Sequence, residues 1–436
     1  MKNDGAFVNL DPDLLGEEAR KLLDFLKSRV LFQNEALTQL ARAYDFAESP
    51  LRQPHTTFLQ MMFIGCSGVG KTETARALAE FLFGSRLAMT KIDCGNLNEK
   101  YSGSMLVGST AGYMGYDHPT DPRYSNPPQF SQKVINKPAL DHLMRNLKFI
   151  DPNKYLELED ISKQAKEIKK GLEGTPTPEV VVAIGQQVTM LEERRRGVIE
   201  RAVLQHPLKQ VILLDEFEKA HTSIRDMILP ILDEGRIQMA NGEFTSFENA
   251  LVIITSNVGS RELAESARGK HPIGFGEHSS STEASDIARN AARNIFPPEF
   301  MSRMGNNIFV FNPLNRAQRR AILEQKFRQL QRFCDERFPV TISVSEEVFE
   351  FLLNLCERNP EEGARMLEKT LHQHVTSLIG GLINSGQIDK QDRVVLSLEG
   401  SRITAIRDNS SSKYGSFEFQ EAPTLPNSVA DVFDSN

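Results

Sequence analysis

The chain has 436 residues, 40% of them hydrophobic and 25% charged, with a net charge of −7. That length exceeds one compact core and implies two or three folding units, and the acidic balance argues against nucleic acid as a partner. Met1–Gly5 lacks the apolar core of a signal peptide and no apolar run reaches membrane-spanning length, so a cytoplasmic protein with no membrane partner is expected.

Along the chain, the first clear element is an apolar strand over Phe58–Ile64. It runs into Gly65-Cys66-Ser67-Gly68-Val69-Gly70-Lys71-Thr72, and a helix-like run from Glu73 to Phe83 follows, with Ala75, Leu78, Ala79 and Leu82 on one face and Gly84 as a stop. Strand, glycine loop and helix form a phosphate cradle: the glycines turn backbone N–H groups inward around an anion, and the helix N-terminus adds its positive end. In such a cradle Lys71 reaches the β- and γ-phosphates and the Thr72 hydroxyl coordinates Mg²⁺. A nucleoside triphosphate is the expected ligand.

Four further apolar runs have strand length, Leu87–Ile92, Val211–Leu214, Leu251–Thr255 and Asn307–Phe311, and helix-like segments separate most of them. The alternation predicts a parallel sheet with helices on both faces and a ligand at the carboxyl ends of the strands. Between the second and third strands, residues 117–197 open with a Pro/Asn/Tyr-rich stretch. Helix candidates follow near Ala139–Leu147, Asp160–Leu172 and Glu179–Leu204, the last two around a Gly-Thr-Pro-Thr-Pro turn, which reads as a helical hairpin.

The run Val211–Leu214 ends in Asp215 and Glu216. Beside a phosphate loop, Asp215 belongs on the Mg²⁺ shell and Glu216 polarises the attacking water as general base. The next strand ends Thr255-Ser256-Asn257; the Asn257 amide either orients water or simply forms a turn. From Pro313 the pattern changes to a small, mainly helical domain, with Ile322, Leu323, Phe327, Leu330 and Phe333 in one amphipathic stretch and Leu367, Leu371, Val375, Leu378 and Leu382 in another. Short strands follow at Val394–Leu398 and Ile403–Ile406. The expected division is 1–312, 313–407 and a disordered acidic tail over 408–436. The four cysteines, Cys66, Cys94, Cys334 and Cys356, lack Cys-x-x-Cys spacing and read as reduced, mostly buried thiols.

Taken together, Gly65–Thr72, Asp215-Glu216-Phe217-Glu218-Lys219-Ala220-His221, Thr255-Ser256-Asn257, Phe296–Arg303 and Gly363-Ala364-Arg365 closely resemble the AAA+ Clp unfoldases, specifically their second, C-terminal ATPase module. The resemblance covers roughly residues 20 to 116 and 198 to 407. It implies a P-loop AAA+ α/β sheet with a smaller, mainly helical C-terminal lid, and a Mg²⁺-dependent ATP hydrolase. By that resemblance Asn257 matches the first sensor, Arg365 the second sensor, and Arg303 the arginine finger that reaches a neighbouring subunit's nucleotide. Val30-Leu31-Phe32-Gln33 is similar to the segment that cups the adenine, with Leu31 and Phe32 at its centre. Family members form hexameric rings, so a homo-hexamer is implied. Pro297 stands where the family has an arginine, Met304-Gly305 replaces an Ile-Asp pair, and Phe32 occupies a position that is usually glycine.

Gly112-Tyr113-Met114-Gly115-Tyr116 resembles the family's aromatic pore loop, in which Tyr113 and Met114 grip unfolded or tagged protein substrates by bulk. Asp233-Glu234-Gly235-Arg236, with the turn Asn241-Gly242, falls where the other pore loop lies. Ile273-Gly274-Phe275 matches the tripeptide by which peptidase-coupled members dock a Clp-type peptidase, or is an ordinary glycine-rich loop. The insertion either selects substrates or an adaptor or is a tolerated surface addition. The implied activity is a threading unfoldase; the alternative is an ATP-driven conformational switch in a larger complex.

Overall fold

The computed structural model describes residues 11, 13–109, 127–170, 178–266, 280–357 and 363–407. Tyr113, Met114, Ile273, Gly274, Phe275 and the 408–436 tail lie outside the described residues. Two helices, α1 (Glu17–Arg29) and α2 (Asn34–Glu48), precede the first strand.

The strands form at the apolar runs. β1 (Leu59–Gly65), β3 (Gln210–Asp215) and β6 (Ala250–Ser256) are buried almost end to end, on residues that point to either face. A strand buried on both faces must be covered by helices on both sides. With β2 (Thr90–Asp93) and β7 (Ile308–Phe311) they make a five-stranded parallel sheet in the order β2-β3-β6-β1-β7. That order sets β6 between β1 and β3, so the ends of these three strands are neighbours. β2 is shorter than the apolar run suggested, because Leu87 is exposed rather than part of the sheet.

α3 (Lys71–Phe83) begins at Gly70, whose φ of 113° an L side chain rarely adopts, and stops at Gly84 in the left-handed region. A single turn, α4 (Ser104–Val107), precedes the insertion. Among the described residues the insertion forms three helices, α5 (Gln132–Ile150), α6 (Pro152–Lys170) and α7 (Pro178–Gln205). α5 packs back on the body, where His142 Nδ1 meets the Phe83 carbonyl at 2.8 Å, whereas Val180, Val181, Val182 and Met190 of α7 are exposed.

After β3 come α8 (Thr222–Glu234) and a hairpin of β4 (Arg236–Gln238) with β5 (Phe244–Ser246). After β6 follow α9 (Ser260–Ser266), α10 (Ser280–Ile295) and α11 (Pro298–Met304). Stacked Phe217, Phe296 and Phe300, with ring centroids 5.1 to 6.0 Å apart, lock α11 beneath the end of β3.

A separate apolar core gathers Leu323, Phe327, Leu352, Leu367, Val375 and Leu396. It is built from α12 (Arg316–Arg337), β8 (Thr341–Val344), α13 (Glu346–Glu357), α14 (Gly363–Leu371), α15 (Ser377–Asn384), β9 (Arg393–Glu399) and β10 (Arg402–Arg407). The one long amphipathic stretch expected around 367–382 is two helices joined through a π-helical segment, His372–Thr376. None of the four cysteines forms a disulfide, and Cys66, Cys94 and Cys356 are buried. No helix among the described residues is long and apolar enough to cross a membrane.

Candidate nucleotide site

A cleft of about 510 Å³ opens at the carboxyl ends of β1, β3 and β6 and is closed on one side by the helical C-terminal part. Ser67–Thr72 form its floor, Asp215, Glu216 and Asn257 one wall, and Leu31, Ile322, Lys326 and Arg365 another.

Lys71 sits on the first turn of α3 and is only 7% exposed. Its ammonium donates to the carbonyls of Gly65 (2.6 Å) and Cys66 (2.7 Å) and to Asn257 Oδ1 (2.9 Å), so each of its protons has an oxygen. Burial lowers its pKa to about 8, against the attraction of nearby Cys66, Glu218 and Asp215.

Asp215 ends β3. Its Oδ1 accepts from Thr255 Oγ1 (2.6 Å) and Thr72 Oγ1 (3.2 Å), and its Oδ2 is 2.8 Å from Lys91 Nζ. Burial pushes this carboxyl up, but the bonds from Lys91, Thr255 and Thr72 outweigh it and hold the group below the usual aspartate value. Glu216 follows in the left-handed region at φ 57°, uncommon for a non-glycine residue. Its N–H donates to Thr255 Oγ1 (3.0 Å), and its Oε2 is 2.6 Å from Lys219 Nζ. Thr255 therefore ties both acidic residues to β6 through one hydroxyl.

Asn257 lies between the acids and the phosphate loop. Its N–H and Nδ2 both donate to Glu218 Oε1, at 3.1 and 3.2 Å, while its Oδ1 faces Lys71. The Glu218 clamp fixes the amide's orientation, which makes Asn257 a placed polar group rather than a plain turn former. From the C-terminal part, Arg365 Nη1 approaches Ser67 Oγ at 3.5 Å.

Three residues expected to bind the nucleotide, Gly65, Cys66 and Phe32, do not line the cleft. Gly65 and Cys66 lie under the loop, and their carbonyls accept from Lys71. Phe32 is not part of the cleft wall, which Leu31 forms instead; Phe32 sits in the turn between α1 and α2 at φ 62° and is 38% exposed. Arg303, on α11, is away from this chain's own cleft and pairs with Asp233 (2.6 Å) and Glu299 (2.9 Å). Lys91, Lys219, Glu218 and the Thr255 hydroxyl were not singled out by sequence. Lys219 could have been, three residues beyond Glu216; Lys91 depends on strand register, which sets it opposite Leu213 and so on the same face as Asp215.

Comparison with known proteins follows this geometry. Residues 57–122 and 134–306 match the family model for the AAA domain (Cdc48 subfamily), and residues 314–396 match that for the C-terminal, D2-small domain of ClpB protein. The chain is 27% identical to chaperone protein ClpB 2 of Nostoc sp. over 397 residues, covering 90% of the chain and 35% of the relative. It is 29% identical to the negative regulator of genetic competence ClpC/MecB of Bacillus subtilis, over 88% of the chain and 37% of that protein. The chain thus spans little more than a third of the length of these relatives. Among solved structures it is similar to the closed state of Hsp104 with ATPγS and FITC casein, with a TM-score of 0.58 and 25% identity over 90% of this chain and 52% of that one.

Proposed function

The chain belongs to the AAA domain family, in its Cdc48 subfamily, and from that premise we propose that it is an ATPase that unfolds or remodels proteins by threading them through the pore of a homo-hexameric ring. The observation that carries the reading is the convergence of Lys71, Thr72, Asp215, Asn257 and Arg365, from four separate segments, on one cleft. In this reading residues 1–312 are the ATPase domain and 313–407 its lid.

The residues divide the chemistry among them. Backbone N–H groups of Ser67–Thr72 and the start of α3 cradle the phosphates. Lys71 from the floor and Arg365 from one wall neutralise phosphate charge, and Asn257, its amide fixed by Glu218, orients water at the γ-phosphate. Glu216 takes the proton of the attacking water. Thr72 and Asp215 would hold Mg²⁺: a hydroxyl and one carboxylate, all hard oxygen, are the donor set of an ion shared with substrate phosphates. An ion held there would supply positive charge to the substrate phosphates. Arg303 supplies a finger to the neighbouring subunit, and Tyr113 with Met114 grips the threaded chain.

The test is ATP-dependent unfolding of a tagged fluorescent protein by wild type and Tyr113→Ala, with hydrolysis recorded in parallel. Loss of unfolding with hydrolysis retained supports threading. Hydrolysis without unfolding by either protein overturns it in favour of a conformational switch, and absence of hydrolysis by the wild type overturns the ATPase reading itself.

A further inference from the structure

The two acids at the end of β3 each carry their own lysine, and the lysines reach them from different elements. Lys219 belongs to the turn directly after Glu216 and holds its Oε2 at 2.6 Å. Lys91 comes from β2, at the sheet edge, and holds Asp215 Oδ2 at 2.8 Å. We propose that Lys91 is a built-in counter-cation for Asp215, and that it sets how strongly nucleotide binding depends on a divalent cation. The inference rests on the ATPase reading and adds to it a positioning residue.

The geometry of Asp215 leaves little choice. Its Oδ1 is taken up by the hydroxyls of Thr255 and Thr72, so Oδ2 is the oxygen left for a cation. The Asp215 side chain is 9% exposed and that of Lys91 40% exposed, so the ammonium reaches a largely buried carboxylate from the solvent side. Lys91 also lines the cleft. A buried carboxylate with no counter-charge repels an incoming polyphosphate, and removal of its partner leaves that repulsion uncompensated. Lysine suits the task because it is a point charge on a flexible stem and can release the oxygen by rotation, whereas an arginine fork would hold both oxygens. Once Asp215 ligates an ion, the ammonium is no longer needed to neutralise it. The contribution of Lys91 is therefore confined to the metal-free site.

The consequence is a change in a ratio. Binding of a fluorescent ATP analogue is measured on the full chain in the Glu216→Gln background, once with Mg²⁺ and once with EDTA. Removing the ammonium with Lys91→Gln should raise the ratio of Kd in EDTA to Kd in Mg²⁺ about tenfold, chiefly by weakening binding in EDTA. Lys91→Arg should leave binding in EDTA near that of the parent but weaken binding in Mg²⁺, so that its ratio falls below the parent's. An unchanged ratio in Lys91→Gln, with an unchanged thermal midpoint, overturns the inference. If the parent binds no analogue in either condition, the ATPase reading falls, and this inference with it.

Discussion

The backbone N–H of Ala364 donates to the carbonyl of Gly68 at 2.9 Å, which fastens the first turn of α14 directly to the phosphate loop. The approach is possible because Gly363 precedes it: a Cβ there would lie 2.5 Å from the Ser67 carbonyl oxygen and 2.9 Å from the Gly68 carbonyl carbon, at a φ of +51°. Both partners of that clash are backbone, so neither can swing aside. Gly363→Ala must push the helical C-terminal part from the loop and carry Arg365 with it. The expected result is a fall in ATP turnover of about tenfold, matching Arg365→Ala, with a cost of about 1–3 kcal/mol in stability. Steady-state hydrolysis beside a thermal melt checks it; wild-type turnover in Gly363→Ala would remove the Gly68–Ala364 contact from the mechanism.

The Glu216–Lys219 pair has the opposite sign. An ammonium 2.6 Å from one carboxylate oxygen engages the group assigned as base in an ion pair, and an oxygen so engaged is less free to accept a proton from water. Lys219 is about half exposed, so solvent screens much of the effect. Lys219→Met is therefore expected to raise basal hydrolysis by a modest factor, about two- to fivefold. A fall instead would mean that Lys219 holds the carboxylate in its working position.

Phe32 occupies a left-handed conformation, φ 62°, that a bulky side chain tolerates poorly. Asparagine visits that region readily and does not return glycine's backbone entropy to the unfolded chain. Phe32→Asn should stabilise the protein by about 1 kcal/mol, a rise of about 2 °C in Tm. Because Leu31 and not Phe32 forms the cleft wall, affinity for a fluorescent nucleotide should not change. A loss of affinity would return Phe32 to the adenine pocket.

The residues of the site differ in how far the sequence reveals them. The phosphate loop and the acid pair were legible because their chemistry is local: a glycine run between a strand and a helix, and carboxylates closing an apolar strand. Lys219 is legible by spacing once Glu216 is assigned. Lys91 and Gly363 are not, since one acts through strand register and the other through a contact between Gly363 and Ser67 at opposite ends of the chain. The small elements β8 and the β4–β5 hairpin were missed for a similar reason. Strands of three or four residues with one buried side chain carry too short an alternation to stand out.

Arg303 remains to be placed in the reaction. Within its own chain it is held by Asp233 and Glu299, and its carbonyl accepts from Gln60 Nε2 at 2.6 Å, so it is a fixed group at the end of α11 away from the cleft. A finger acting on the neighbour makes a prediction that no structural role shares. Arg303→Ala alone leaves every site without a finger, and Glu216→Gln alone leaves every site without a base; each should lose turnover by about 10³-fold or more. Mixed in equal amounts and reassembled, Arg303→Ala subunits receive the intact Arg303 of Glu216→Gln neighbours and still carry their own Glu216. Hydrolysis should recover to a substantial fraction of wild type. Recovery requires that the base and the finger of one working site come from different chains. If the mixture stays as inactive as its components while both still assemble, Arg303 serves only the Asp233–Glu299 clamp, and the site is complete within one chain.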